Sequence, residues 1–181
     1  MVYTRRSTIN AIFRGGLEVF RSWYDVAEIC MNGHVTNSSV NKNSQHCQDY
    51  CEKCGEKTIR ECQDCSTPIR GKLHVEGGFG STHYYAPSYC HKCGNPFPWT
   101  EATLKAAKEL AQEVEEFSQE DIDIFTASLD DLIVDNPHTK VAAVKFKKIL
   151  SKAQQPMKDA IYQLLIDTVS ETARKIVWPD I

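Results

Sequence analysis

Eight cysteines fall between positions 30 and 93 of this chain, and with one histidine they form a string of paired soft donors. The string reads Cys30-x3-His34, Cys51-x2-Cys54, Cys62-x2-Cys65 and Cys90-x2-Cys93. Thiolate and imidazole at these spacings are ligands for zinc, which takes four such donors in a tetrahedron. A Cys-x-x-Cys turn brings both sulfurs to one side of a tight loop. Gly55 and Gly94 follow two of these turns, where a residue without Cβ relieves the backbone. Gly33 lies inside the first pair and can turn His34 back toward Cys30. Four pairs supply two complete sites of four donors, and complete sites are structural, because a catalytic zinc keeps a position open for water.

Two pairings satisfy this arithmetic. Sequential pairing groups Cys30, His34, Cys51 and Cys54 in one site and Cys62, Cys65, Cys90 and Cys93 in the other, which makes two tandem zinc ribbons. Cross-braced pairing joins the first pair to the third and the second to the fourth, as in a ring finger. The Cys-x-x-Cys-Gly ending of both proposed ribbons favours the sequential form, as does the absence of a central Cys-x-His pair.

Cys47 is left over. Beside His46 it invites a catalytic thiol reading, but sequence neighbours point apart, and a nucleophile needs an orienting third group and a pocket. An exposed Cys47 would instead suit a thiol redox sensor that releases zinc on oxidation. His74, His83, His91 and His138 lack ligand spacing, and ordinary surface or packing roles are their default. No catalytic constellation is legible, so the chain is expected not to be an enzyme.

Eight cysteines in a secreted chain would imply disulfides. The first 20 residues do not read as a secretory signal, because Arg14, Gly15 and Gly16 interrupt the apolar stretch. A cytoplasmic location follows as the expectation, and there thiols stay reduced and available to metal. No run approaches the ~18 to 20 apolar residues of a membrane span. The formal charge of -3 disfavours a strongly basic, non-specific nucleic-acid binder. Seven liganding thiolates and two zinc ions would take it to about -6.

The elements that must hold these donors divide the chain. Residues 30–98 contain nine large apolar side chains and residues 99–181 contain 27, so the first segment needs a staple and the second can fold around a core. Short β-prone pieces, Lys57-Thr58-Ile59-Arg60 and Lys72-Leu73-His74-Val75, fit hairpins between the knuckles. The 24 residues between Cys65 and Cys90 carry a glycine-rich stretch at 76–80 and Tyr84, Tyr85 and Tyr89. Those tyrosines are expected to cover the metal site and pack, with stacking on bases beside Arg70 and Lys72 as the rival use.

Beyond Pro96-Phe97-Pro98-Trp99, four helices are expected. Thr100 would cap the first, over about 101–117, and a capping box at Ser118 would open the second. Val141, Val144, Ile149 and Leu150 would form the stripe of the third. The last would run from Pro156 to about Val177. Residues 101–135 carry a net charge of -9 and residues 136–181 one of +4. Either the two halves pack with complementary faces, or the acidic helices recognise a basic partner. The reading is α+β: an extension over 1–22, tandem zinc ribbons over 23–99 and a helical region over 100–178.

The segments Trp23-Tyr24-Asp25-Val26-Ala27-Glu28-Ile29-Cys30-Met31-Asn32-Gly33-His34, Cys51-Glu52-Lys53-Cys54-Gly55, Pro68-Ile69-Arg70-Gly71 and 87–100, with its Pro-Phe-Pro-Trp-Thr exit, resemble an uncharacterised bacterial zinc-ribbon family. The resemblance spans roughly 23–178. It implies paired zinc ribbons, a bacterial source and the eight ligands Cys30, His34, Cys51, Cys54, Cys62, Cys65, Cys90 and Cys93, but no reaction. Cys47 lies outside its motif. The expected role is a zinc-dependent protein-interaction or adaptor module with two structural zinc ions, a protein partner, and self-association through the C-terminal helices. Nucleic-acid binding and thiol redox sensing are the alternatives.

Overall fold

The computed structural model describes residues 21–77 and 83–179. The expected extension therefore lies almost wholly outside the described residues, as do positions 78–80 of the glycine-rich stretch. The chain divides into two compact units between Phe97 and Pro98. The first holds five short strands, β1 (Ser22–Val26), β2 (Glu28–Cys30), β3 (Val35–Asn37), β4 (Thr58–Ile59) and β5 (Arg70–Val75). The second holds five helices, α1 (Pro98–Gln112), α2 (Gln119–Leu132), α3 (Thr139–Leu150), α4 (Gln155–Leu165) and α5 (Glu171–Val177). The architecture is α+β, with small antiparallel sheets followed by helices.

In the first unit β1 pairs antiparallel with β5, placing Trp23 opposite His74 and Tyr24 opposite Leu73. A separate three-stranded sheet runs β3-β2-β4, all antiparallel. Its apolar core is small: Ala27, Ile29, Ile59, Ile69 and Phe97 are buried together with one cysteine from each pair. Polar groups tie in what apolar area cannot. Asp25 accepts from the backbone N–H of Val26 and of Asn41 on one oxygen and faces His74 Nε2 at 3.2 Å on the other. Asn37 donates to the carbonyl of Asn43 and accepts from the N–H of Ser39.

The second unit packs around Phe125, Phe146, Leu129, Leu132, Ile161 and Leu165, all fully buried. Ser118 caps α2 through a capping box completed by Asp121, as the sequence suggests. Lys152 reaches the same carboxylate at 2.7 Å.

Four details depart from the sequence reading. Helix α1 starts at Pro98, so Thr100 lies inside it and is buried rather than capping. Proline suits the first helical position, where its missing N–H would have been unpaired anyway. α1 also ends at Gln112, and Val114 and Phe117 fill the core from the following turn. On α3 the buried face is Thr139, Ala142, Ala143, Phe146, Ile149 and Leu150, while Val141 and Val144 stand 55% and 60% exposed. Phe146 decides this, because its ring sits 4.6 Å from that of Phe125 and two small alanines lie beside it on the same face. Finally, the last expected helix is two. Ser170 accepts from the N–H of Ala173 and starts α5 afresh.

Candidate metal centres

Three of the four knuckles are built to one plan. After Cys51, Cys62 and Cys90, the N–H of the residue four positions on (Gly55, Ser66, Gly94) returns to the cysteine carbonyl at 2.7 to 2.9 Å. The cysteine N–H in turn donates to the carbonyl five positions on, that of Glu56, Thr67 or Asn95, at 2.8 to 2.9 Å. Isolated bridges then close each hairpin, Tyr50 with Lys57, Glu61 with Pro68 and Tyr89 with Pro96. The fourth residue on is in the left-handed region each time, with φ of 76° at Gly55, 77° at Gly94 and 53° at Ser66. Glycine adopts that conformation freely and serine with strain. The knuckle at Cys30 is shorter: Gly33 N–H donates to the Cys30 carbonyl, and Cys30 N–H to that of His34.

These turns converge in two groups. Cys30, His34, Cys51 and Cys54 form one, and Cys62, Cys65, Cys90 and Cys93 form the other; within each, all four donor atoms lie within 4.8 Å of one another. The pairing is sequential, not cross-braced. In the first group Cys30 Sγ is 3.7 Å from Cys54 Sγ, and His34 Nδ1 lies 3.6, 3.7 and 3.3 Å from the sulfurs of Cys30, Cys51 and Cys54. In the second, Cys62 and Cys93 sulfurs are 3.7 Å apart, as are those of Cys65 and Cys90. A disulfide needs about 2.05 Å. A centre about 2.3 Å from each sulfur gives tetrahedral edges of about 3.8 Å between sulfurs and about 3.5 Å from sulfur to nitrogen. The observed edges have that size.

Protonation points the same way. In the second group a backbone N–H from Asn95 favours the Cys93 thiolate, but burial and the sulfurs of Cys65, Cys90 and Cys62 overcome it and push Cys93 up to about 12. Cys65, hydrogen-bonded to the Thr67 hydroxyl, goes down to about 6. In the first group burial pushes Cys30 up to about 11, while the Glu56 backbone N–H leads in bringing Cys54 down to about 6. Thiolates this close repel one another, which is part of what holds Cys30 and Cys93 protonated. A bound dication is the chemistry that offsets that repulsion.

Cys47 belongs to neither group; Asn37 Nδ2 lies 3.6 Å from its sulfur. His46 is exposed on a short 3-10 turn (Ser44–His46).

The sequence reading did not single out the group that steadies β2. Glu28, fully buried two residues before Cys30, accepts from Thr36 Oγ1 at 2.8 Å and from the Gln48 N–H at 3.0 Å on one oxygen. On the other it takes Arg60 Nε at 2.7 Å and Arg60 Nη2 at 2.6 Å. The signal was thin: a lone acid between Ala27 and Ile29, with its cation 32 residues away. In the long loop, Tyr84 donates to the Arg70 carbonyl and is half-buried, whereas Tyr85 is 73% exposed. Arg70 lies over the ring of Tyr24 at 4.9 Å.

Among the described residues no helix is long and apolar enough to cross a membrane. A family model described as an uncharacterized protein conserved in bacteria (DUF2321) matches residues 23–177. No curated protein and no solved structure matches.

Proposed function

We propose that this chain, which belongs to that family of uncharacterized proteins conserved in bacteria, is a zinc-stapled protein-interaction module of the bacterial cytoplasm with no turnover of its own. The observation that carries the reading is the pair of four-donor groups with zinc-sized edges. All eight donors, Cys30, His34, Cys51, Cys54, Cys62, Cys65, Cys90 and Cys93, are taken as ligands, His34 through Nδ1. With four protein donors each, neither ion keeps a position for substrate or water, so the metal's contribution is folding free energy rather than Lewis acidity. Half-exposed Trp23 and Tyr24 on β1 and exposed Tyr50 and Tyr85 are the kind of aromatic surface that partners cover.

Native mass spectrometry of gently purified protein tests this. Two zinc ions per chain are expected, falling to one in Cys54→Ser and in Cys93→Ser. One zinc or none in the parent protein, with disulfides in its place, would remove the reading. Cobalt substitution separates the sites, since three sulfurs and a nitrogen absorb differently from four sulfurs.

A second reading, single-stranded nucleic-acid binding on the N-terminal unit, is favoured by Arg70 over Tyr24 beside exposed Trp23. It requires salt-sensitive binding of an oligonucleotide in a fluorescence anisotropy titration, and salt-insensitive binding or none dismisses it.

A further inference from the structure

The helical unit separates its charge and leaves it separated. Among the described residues, one ion pair joins the acidic segment 101–135 to the basic segment 136–181, that of Lys152 with Asp121. The other two ion pairs of this unit lie within single helices. α2 packs on α3 through buried apolar faces, and the charges stay outside. On the outer side of α2, Glu120, Asp123 and Asp130 are exposed; on the outer side of α3, Lys140, Lys145 and Lys148 are exposed. Lys147 is engaged elsewhere, on the Ile176 carbonyl.

Two exposed valines stand on α3 among its lysines. Val141 and Val144 are the large hydrophobic residues most exposed in this unit, at 55% and 60%. Val141 borders a shallow groove of about 200 Å³ between α2 and α3 of mixed character, where Ile124, Ala127 and Ala142 lie with Asp131 of α2 and Lys145 of α3.

We infer that the α2–α3 face docks on the same face of a second copy of this chain. A partner that satisfies both rows must present a basic row opposite the acidic one and an acidic row opposite the basic one. This face is itself such a surface. Rotation by a half-turn about an axis running along the groove places α2 of each copy over α3 of the other, and acids meet lysines on both sides. A half-turn about an axis across the groove would set like on like and is rejected by charge. The contact is isologous and closes at two subunits. Fourteen residues make α2 about 21 Å long, and two helices are about 20 Å wide, so the pairing buries about 800 Å² in total, the size of a weak, reversible interface. The inference goes beyond the zinc-module reading and does not rest on it, since the face uses no residue of the metal-binding unit.

Sedimentation velocity of the full metal-loaded chain tests the idea. A monomer–dimer equilibrium is expected between roughly 5 and 500 µM, weakened at least about tenfold when ionic strength rises from about 0.05 to 0.5 M. Two variants then interrogate the rows. Lys140→Glu with Lys145→Glu and Lys148→Glu makes both rows acidic. Glu120→Lys with Asp123→Lys and Asp130→Lys makes both basic. Each alone should stay monomeric, and an equimolar mixture should associate again. Circular dichroism melts check that each is folded. If one is not, Val144→Ser, at an exposed position, should weaken the dimer several-fold on its own. A monomer at every concentration overturns the inference, as does a dimer indifferent to the swaps or a mixture that fails to pair. A monomeric parent chain that binds added polyglutamate, with binding lost in the lysine-row variant, would overturn it in favour of an acidic partner.

Discussion

A carboxylate with no exposed surface has to find its donors inside the protein, and Glu28 finds four, two on each oxygen. They come from β3, from the loop before the second knuckle, and from Arg60 just before the third. One side chain thus ties together the segments that carry three of the four ligand pairs. Its charge, and not only its shape, is what these donors address: burial alone would push its pKa up, but the Gln48 N–H, the Thr36 hydroxyl and the Arg60 guanidinium hydrogen-bonded to the carboxylate hold that pKa below the ordinary glutamate value. Glu28→Gln keeps the volume but turns an NH₂ toward the Gln48 N–H or the Arg60 guanidinium, which can only donate. A loss of about 2 to 4 kcal/mol is expected, read as a lower urea midpoint for amide signals of the N-terminal unit. Arg60→Lys keeps a charge within reach and, on a side chain 47% exposed, should cost about 1 kcal/mol or less. A Glu28→Gln protein as stable as the parent would show that the network is incidental.

At the level of elements, two glycines that look alike in sequence have different jobs. Gly55 has φ of 76° and open space where a Cβ would be, so Gly55→Ala costs only backbone strain, about 1 kcal/mol. Gly71, in β5, would bring a Cβ to 2.4 Å from the Ser38 carbonyl oxygen and 2.7 Å from backbone carbon of Val26. Those are backbone atoms of the adjoining segments and cannot step aside. Gly71→Ala should therefore cost several times what Gly55→Ala costs, with β1 and β5 amides losing exchange protection; equal costs would contradict the close approach. The knuckle glycines were legible because ligand spacing is local, three positions apart in each Cys-x-x-Cys. The reason for Gly71 was not, because it depends on a segment more than 30 residues away in the chain. The same distinction runs through the rest. The Ser118 cap and the α2 stripe are local patterns and were readable. The β1 strand carries β-forming Trp23, Tyr24 and Val26, and Lys72 to Val75 read as β-prone, but the partners lie 44 to 53 residues apart and no spacing announces that the two pair. On α3, valine outranks alanine in apolarity, and only the Phe125 ring opposite Phe146 decides which face is inside.

For the whole molecule, the division between Phe97 and Pro98 separates two sources of stability. The helical unit buries a continuous cluster running from Ala107 to Val177, with Phe117, Phe125, Phe146 and Trp178 in successive ring contact. Among its described residues the N-terminal unit buries only a handful of aliphatic side chains and one phenylalanine besides its cysteines. Burying a large apolar side chain is worth about 1.5 to 3 kcal/mol, against roughly 1 to 2 kcal/mol of backbone entropy for each ordered residue. That balance cannot hold the described residues 21–77 and 83–97 together. A zinc ion bound in such a site would add about 10 to 16 kcal/mol of apparent binding free energy, the largest single contribution open to this unit. Stripping the protein with a strong chelator should therefore act unequally. Far-UV circular dichroism at 222 nm, which reads α1 to α5, should keep nearly all its amplitude and a cooperative melt, while amide protection is lost from β1 through β5. Adding back two equivalents of zinc should restore that protection in two steps if the sites fill independently. Loss of the helical signal together with the metal would mean that the units fold as one, and protection of β1 to β5 that survives chelation would mean that the buried polar network, not the metal, holds the ribbons.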